Sequence, residues 1–365
     1  MRVMQLIPSL AVGGAERMVA TLARQLRLFG HTVTVVSMYG ARGTWIEHEL
    51  ESERLPTHFL EKKHGVDLRM VPRVAQVLLQ FRPDVLHTHM YTLKYALPAL
   101  LLHRRCGVVH TVHTLAHAEL DSWSQAVQRF AFKLGVAPVA IGEAVDESHR
   151  SIYGRPCRCI IPNGICLSDY AESPSARKAI RASLSIPLEA PVFVAIGMLR
   201  PAKNHPALLR AFASERLREA GAHLLLAGDG ELRKGLEDQA RALELQSRVH
   251  FLGVRSDVSS LLSAADVFVL ASLREGNPLS VMEAMAAGRP IVATAIGCLP
   301  EMVPESSGRL VRPGDADALE GAMAQLACDL PLARGMGRAA ADLARQRFAA
   351  SSMARAYEDL YAHVA

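Results

Sequence analysis

Short apolar runs alternate with amphipathic stretches along this chain, and that rhythm leaves it few folds. In the amino half "VMQLIPSL" (3–10) reads as a strand. "AERMVATLARQLRLFG" (15–30) then places Met18, Val19, Leu22, Ala23 and Leu26 at helical spacing, and Gly30 ends the helix. Further strands are expected at "HTVTVVSM" (31–38), "DVLHTH" (84–89), "VVHTVH" (108–113), "PVAIG" (138–142) and "CIIPNG" (159–164). The carboxyl half repeats the pattern with "PVFVAIGML" (191–199), "AHLLLAGDG" (222–230), "VHFLG" (249–253), "DVFVLAS" (266–272) and "RPIVATA" (289–295). Strands separated by helices pair in parallel, and such sheets are covered on both faces. Two series within 365 residues predict two doubly wound α/β domains. The seam is "SDYAESPSARKAIRASLSIPLEAP" (168–191), with two charged clusters and three prolines. The expected division is 1–167, 168–348, and a terminal helix (349–365) packing back on the first domain through the face carrying Tyr357, Leu360 and Tyr361. Open sheets of this kind bind ligands outside the carboxyl ends of their strands.

Composition excludes several classes of function. Aromatic residues make up 5% of the chain, too few for serial base stacking, so no nucleic-acid partner is expected. Six scattered cysteines point to a reducing compartment, and the lone Cys157-x-Cys159 pair makes a poor metal site. "MRVMQLIPSL" reads as a strand, not a signal peptide, and "ALPALLL" (96–102) is too short to span a bilayer. The expected location is the cytoplasm. Charge is uneven: residues 1–165 carry 19 Lys/Arg against 13 Asp/Glu, the remainder 22 against 23, and the first part also holds 11 of 15 histidines. The amino half is therefore either a surface for something anionic or ordinary solvated surface.

The densest chemistry lies in "EGNPLSVMEAMAAGRP" (275–290). Glu275 falls in the loop after a strand, and Ser280 is expected to open a helix that Gly288 closes. Ser280-Val-Met-Glu283 fits a capping box, which would explain Glu283 but not Glu275-Gly276-Asn277-Pro278. A polyol ligand explains both. Carboxylates accept its hydroxyl protons, while helix-start amides donate to its anionic parts.

With these residues in view, "S-x-x-E-G-x-P-L-S-x-x-E-A-M-A-x-G-x-P-I-V-A-T" (272–294) resembles the signature of retaining GT-B glycosyltransferases, the glycosyltransferase family 4 type. The resemblance implies two facing Rossmann-like domains with a cleft between them. It places Glu275 beside the donor sugar, Glu283 on the nucleotide ribose, and the backbone of Gly276, Asn277, Pro278, Leu279 and Ser280 around sugar and phosphates. "GMLRPAKNH" (197–205) is similar to the family's phosphate loop, so Lys203 would offset charge on the departing diphosphate. The family arginine five positions earlier is Met198 here, and Arg200 is the substitute candidate. A solvated loop is the competing reading for both cations. "FLGVRSDV" (251–258) matches the stretch whose backbone, near Gly253 and Arg255, borders the base. "GGAER" (13–17) matches the loop near donor phosphate and acceptor, with Gly13 and Gly14 leaving backbone bare at a helix start. His113 corresponds to the histidine near the transferred sugar, against the plainer reading of a packed core histidine. His87 and His89 share a strand face on the acceptor side; as a zinc pair they lack a third ligand. "IIPNGI" (160–165) matches a hinge-side turn, with Cys166 where the family often has Asp. "DAD" (315–317) opens a helix and reads as a cap, not a metal-binding pair.

The implied enzyme uses no metal or other cofactor: catalytic Glu275, His113 and Lys203 act on a nucleoside-diphosphate sugar, and the acceptor is a glycan or lipid-linked hydroxyl. Assembly of cell-surface polysaccharide or glycolipid is the implied setting. Lys62-Lys63, "HRR" (103–105) and the neighbouring apolar run suggest peripheral contact with an anionic membrane at the inner face of the plasma membrane. The competing readings are a sugar-nucleotide epimerase or phosphorylase of the same fold, and a non-catalytic subunit that binds sugar nucleotides.

Overall fold

The computed structural model describes residues 1–101, 106–115 and 122–365. They form two compact units: Met1–Ile165 with Ala350–Ala365, and Cys166–Ala349.

The first unit is built on a seven-stranded sheet of β1 (Arg2–Ile7), β2 (Thr32–Ser37), β3 (Thr57–Phe59), β4 (Val85–His89), β5 (Gly107–Val112), β6 (Ala137–Ala140) and β7 (Cys159–Ile160). Their spatial order is β3-β2-β1-β4-β5-β6-β7, every pair parallel. Side chains alternate along the strands, so each strand feeds two cores. Val3 and Ile7 of β1 join Val85 and Val109 in one apolar cluster; Met4 and Leu6 join Leu86 in the other. The final helix, Ala350–Val364, completes the first cluster with Met353, Ala354, Tyr357, Leu360 and Tyr361. Its first turn is tied to the end of the sheet by the Ala350 N–H, which donates to the Ile165 carbonyl at 2.9 Å.

The second unit carries β8 (Val192–Ile196), β9 (His223–Ala227), β10 (Val249–Gly253), β11 (Val267–Leu270), β12 (Ile291–Thr294) and β13 (Gly308–Val311), ordered β10-β9-β8-β11-β12-β13 and again parallel. One apolar cluster runs from Phe193 and Phe212 to Met323 and Met336, and Val194, Leu225, Phe268 and Ile291, at alternate strand positions, are buried outside it.

The seam predicted from proline and charge contains a helix, Pro174–Ser183, capped by the Ser173 hydroxyl on the Ala176 N–H. Its Arg181 is 0% exposed. The guanidinium donates to the carbonyls of Ala264, Pro187, Leu188 and Ala190 and to Asp266 Oδ2 at 2.8–3.1 Å. Asp266 also binds Arg177 and accepts the Val192 N–H at the start of β8. What reads as a polar linker is therefore a buried clamp, satisfied at each donor it uses.

Candidate active-site loops

In each sheet the chain winds in one direction from the first strand and then in the other, and the strand-order reversal opens a crevice at the carboxyl ends. In the second unit the reversal falls between β8 and β11. Lys203 lies in the loop after β8 and Glu275 in the loop after β11, so neighbouring strands bring together residues 72 apart in sequence. The Lys203 ammonium donates to Glu275 Oε1 at 2.5 Å, with side chains 21% and 10% exposed. The Ser272 hydroxyl donates to the same oxygen at 2.6 Å. Among the described hydrogen bonds Oε2 receives none, so the carboxylate is held by one oxygen.

The backbone around this pair is fixed from three sides. The Leu273 N–H donates to the Ala202 carbonyl at 2.7 Å, joining the two loops. The Thr294 hydroxyl donates to the Ser272 carbonyl at 2.5 Å, and the Cys298 N–H donates to the Gly276 carbonyl at 3.0 Å. Gly297 has φ +52, and any β-carbon there would run into the Glu275 carbonyl. Only glycine meets both demands at that position.

The helix after Glu275 spans Leu279–Ala286, so Ser280 lies inside it instead of opening it. Pro278 occupies the N-cap, and no side chain caps the helix, which removes the Ser280–Glu283 capping box. The reason is local. Proline with φ −72 and ψ 116 can precede a helix but offers no acceptor to its first amides. The other end is as expected: the Gly288 and Arg289 N–H groups return to the Met285 and Ala284 carbonyls. Glu283 is buried to 1% exposure. Asn277, Pro278 and Leu279 are buried, while Ser280 is half-buried.

Arg200 is exposed, takes part in none of the described ion pairs, and stands two residues from an exposed Met198. Arg255 forms a two-pronged bond with Asp257 at 2.6–2.7 Å, just beyond Gly253 (φ +67). Asp315 caps its helix by accepting the Ala318 N–H at 2.9 Å. His205, next to the loop that carries Lys203, is buried, and burial reinforced by the Lys203 charge lowers its pKa to about 4.

The first unit reverses its strand order between β1 and β4, and its candidates gather there. Gly13 is the N-cap of the helix Gly14–Leu28. A β-carbon on Gly13 would strike the Glu16 carboxylate, whereas Gly14 faces open space. Burial raises the Glu16 pKa. Of the two glycines, Gly14 is the one an incoming group can approach.

His87 and His89 do share a face, as their spacing predicts, but neither is open to an acceptor. Both are 0% exposed, with both nitrogens engaged. His87 meets the Tyr361 hydroxyl at 2.6 Å and Thr111 Oγ1 at 2.7 Å. His89 meets Gln5 Oε1 at 2.7 Å and His113 Nε2 at 2.9 Å. Burial holds both pKa values well below the ordinary histidine range. The acceptor-side reading of His87 and His89 is therefore not supported, whereas His113 is half-buried, and burial lowers its pKa to about 4. Among the described residues no group of three or more His, Cys, Asp or Glu could hold a metal ion.

The basic features tied to a membrane are also partly used up. Lys62 is buried, donating to the carbonyls of Lys63 and Gly65 and lying 4.9 Å from the Tyr39 ring centre. Tyr95, Ala96 and Ala99 of the apolar run's helix face the core. "HRR" (103–105) lies outside the described residues. Among the described residues no helix is long and apolar enough to cross a membrane. A cavity of about 740 Å³ in the second unit, lined by Arg177, Arg289, Arg334 and Arg338 among others, contains none of the candidate residues.

Sequence reading missed four contributors. Ser272 and Thr294 are ordinary polar residues beside strands. Glu16 had a signal, being an acid at the third helical position. Gln5 had one too: it is the only polar side chain within the apolar run "VMQLI".

The arrangement can now be set beside known proteins. The model of Glycosyltransferase Family 4 matches residues 12–169, and that of Glycosyl transferases group 1 matches residues 176–342. The N-acetyl-alpha-D-glucosaminyl L-malate synthase of Bacillus anthracis is 27% identical over 303 residues, 81% of this chain and 78% of that one. The Escherichia coli UDP-Gal:alpha-D-GlcNAc-diphosphoundecaprenol alpha-1,3-galactosyltransferase is 28% identical over 281 residues, 72% and 71% of the two chains. Anabaena Alr3699/HepE, solved in complex with UDP, superposes on all of this chain and all of its own with a TM-score of 0.86 at 24% identity, a likeness of fold. With both halves matched by family models and the glutamate signature seated at a strand-order reversal, the chain belongs to the GT-B glycosyltransferases of the family 4 type, and it is an enzyme of that class.

Proposed function

We propose that this protein transfers a sugar, with retention and without a metal, from a nucleoside-diphosphate sugar to a hydroxyl of a glycan or lipid-linked acceptor. The observation that carries the proposal is the Lys203–Glu275 pair at the β8/β11 reversal: a cation for a diphosphate and a half-engaged carboxylate for a sugar, held on two joined loops. The uridine nucleotides bound by HepE and used by the galactosyltransferase relative make UDP-sugars the first donors to try.

In this reading Lys203 neutralises charge on the leaving diphosphate, while the Gly276–Ser280 backbone presents uncapped helix-start amides to sugar and phosphate. Glu275 Oε2 accepts a sugar hydroxyl, and Glu283 accepts from the ribose. Gly253 and Arg255 border the base. Gly14 supplies bare backbone, and His113 receives a sugar hydroxyl. The bond from the anomeric carbon to phosphate oxygen breaks, and the bond to the acceptor oxygen forms on the same face. The acceptor proton passes to the departing phosphate oxygen.

Incubation with a panel of UDP-, GDP- and ADP-sugars and a mixture of glycan and lipid-linked acceptors tests this. The expected product retains the donor's anomeric configuration by proton NMR and forms at full rate in excess chelator. An inverted product, or rearranged sugar nucleotide formed without any acceptor, refutes it. Peripheral membrane contact belongs to the same proposal. Its support is now Val66 and Leu68, 75% and 76% exposed beside exposed Lys63.

A further inference from the structure

The hydrogen bonds around His113 have a direction that follows from which atoms can donate. Gln5 Oε1 can only accept, so His89 Nε2 carries the proton in their 2.7 Å contact. His89 is wholly buried and neutral, so its Nδ1 has only a lone pair. In the 2.9 Å contact with that lone pair, His113 Nε2 must then be the donor. A neutral His113 with hydrogen on Nε2 keeps an unprotonated Nδ1, which meets no hydrogen-bond partner among the described residues.

The same orientation of the Gln5 amide is satisfied at its other end. Gln5 Nε2 donates to the Tyr361 hydroxyl at 3.4 Å, and that hydroxyl lies 2.6 Å from His87 Nδ1. Having accepted from Gln5, the Tyr361 hydroxyl gives its own proton to His87 Nδ1. His87 then donates from Nε2 to Thr111 Oγ1 at 2.7 Å. All these side chains project from the face of the sheet that the terminal helix covers. Turning the Gln5 amide over would reverse the whole relay, with His89 Nδ1 donating to His113 Nε2, so the tautomer of His113 reports the orientation of Gln5.

We propose that Gln5 and His89 are positioning residues that hold His113 as its Nε2–H tautomer, so that Nδ1 accepts a hydroxyl of the bound sugar. The inference rests on the reading of His113 in the proposed function, and it adds which nitrogen acts and what sets it. Neither Gln5 nor His89 touches the ligand.

Nitrogen-15 NMR of histidine-labelled full-length protein reads ring tautomers directly, with His113→Gln locating the His113 signals. The expected ligand-free spectrum shows His113 unprotonated at Nδ1. Gln5→Leu removes the acceptor, and a buried N–H left without a partner is costly enough for His89 to move its proton to Nδ1. His113 is then pushed toward the opposite tautomer, and turnover falls roughly five- to tenfold, as for one lost hydrogen bond. On adding UDP-glucose, the Nδ1 resonance of the wild-type protein should move. A wild-type His113 protonated at Nδ1 overturns the proposal, whether or not the variant folds. So does an unchanged tautomer in Gln5→Leu, or an unmoved Nδ1 signal while calorimetry shows the sugar nucleotide bound. Failure of every sugar nucleotide to bind defeats the functional reading instead, and the ligand-free spectrum still decides the tautomer.

Discussion

Replacing Lys203 by Met keeps the side chain's bulk and removes its charge, and the structure says how to separate two explanations of the result. Unit charges 2.5 Å apart attract by roughly 6–7 kcal/mol at an effective dielectric near 20, before desolvation is subtracted. With Lys203 21% and Glu275 10% exposed, most of that is offset, and the pair should contribute no more than about 1–2 kcal/mol to stability. A charged hydrogen bond from Lys203 to a diphosphate is worth roughly 1.5–3 kcal/mol, so UDP affinity should fall roughly 10- to 150-fold. Turnover should fall on the order of 10²–10³-fold, as when one oxyanion donor is lost. Glu275→Gln keeps an acceptor oxygen for Lys203 and Ser272 and loses the charge that meets the sugar. It should reduce turnover far more than UDP affinity. Calorimetric titration with UDP, initial rates with the preferred UDP-sugar and urea unfolding give the three quantities. If Lys203 serves only to hold Glu275, the two variants will lose UDP affinity equally, and the double variant will turn over no more slowly than Lys203→Met. That outcome would remove Lys203 from the chemistry.

Other consequences follow from buried groups. Asp266→Ala leaves the Arg181 guanidinium buried without its counter-ion and should cost about 3–5 kcal/mol in urea unfolding; a loss under 1 kcal/mol would mean the four carbonyls suffice. His110 is held down to about 3 and His205 to about 4, chiefly by burial, so the unfolded chain binds more protons than the folded one below pH ~6.5. Stability should therefore be level above that pH and fall toward pH 4, by on the order of 3 kcal/mol for each such histidine; equal melting temperatures at pH 5 and 7.5 would contradict it. Val66→Asp with Leu68→Asp should abolish co-sedimentation with phosphatidylglycerol vesicles while leaving UDP binding intact, and undiminished sedimentation would move any membrane contact elsewhere.

The periodic features survived translation into structure because they depend on many residues at once. Eleven apolar runs mark strands, and neither β3 nor β13 is among them. "THF" is three residues long on a sheet edge, and "GRLV" mixes a glycine and an arginine into four positions. Neither length supports a two-residue period. The paired glutamates were legible because their spacing spans a loop and a helix start. Their neighbours were not, since Ser272 and Thr294 act through one hydroxyl each. Lys62 shows the reverse error: a pair of lysines looks solvated until two carbonyls and two tyrosine rings are found around one of them. Helix starts are set by backbone angles, and a proline at 278 overrode the side-chain pattern that pointed to Ser280.

The histidines of the first unit make a stricter argument than the apolar runs. A buried imidazole costs stability unless its nitrogens are satisfied, so a cluster of them is tolerated only where partners have been supplied. For His87 the partners are Tyr361 and Thr111, and Thr111 is in turn 2.8 Å from the Tyr357 hydroxyl. Both tyrosines come from the last sixteen residues of the chain, across more than 240 residues of sequence. Apolar packing alone would seat that helix with a leucine or phenylalanine at either place. Tyrosine does something further: its hydroxyl supplies a hydrogen-bond partner to the buried polar groups of the sheet. Docking of the terminal helix and the hydrogen-bonding of the buried histidine layer are thus linked, and the sequence displays the link as two tyrosines at a spacing of four.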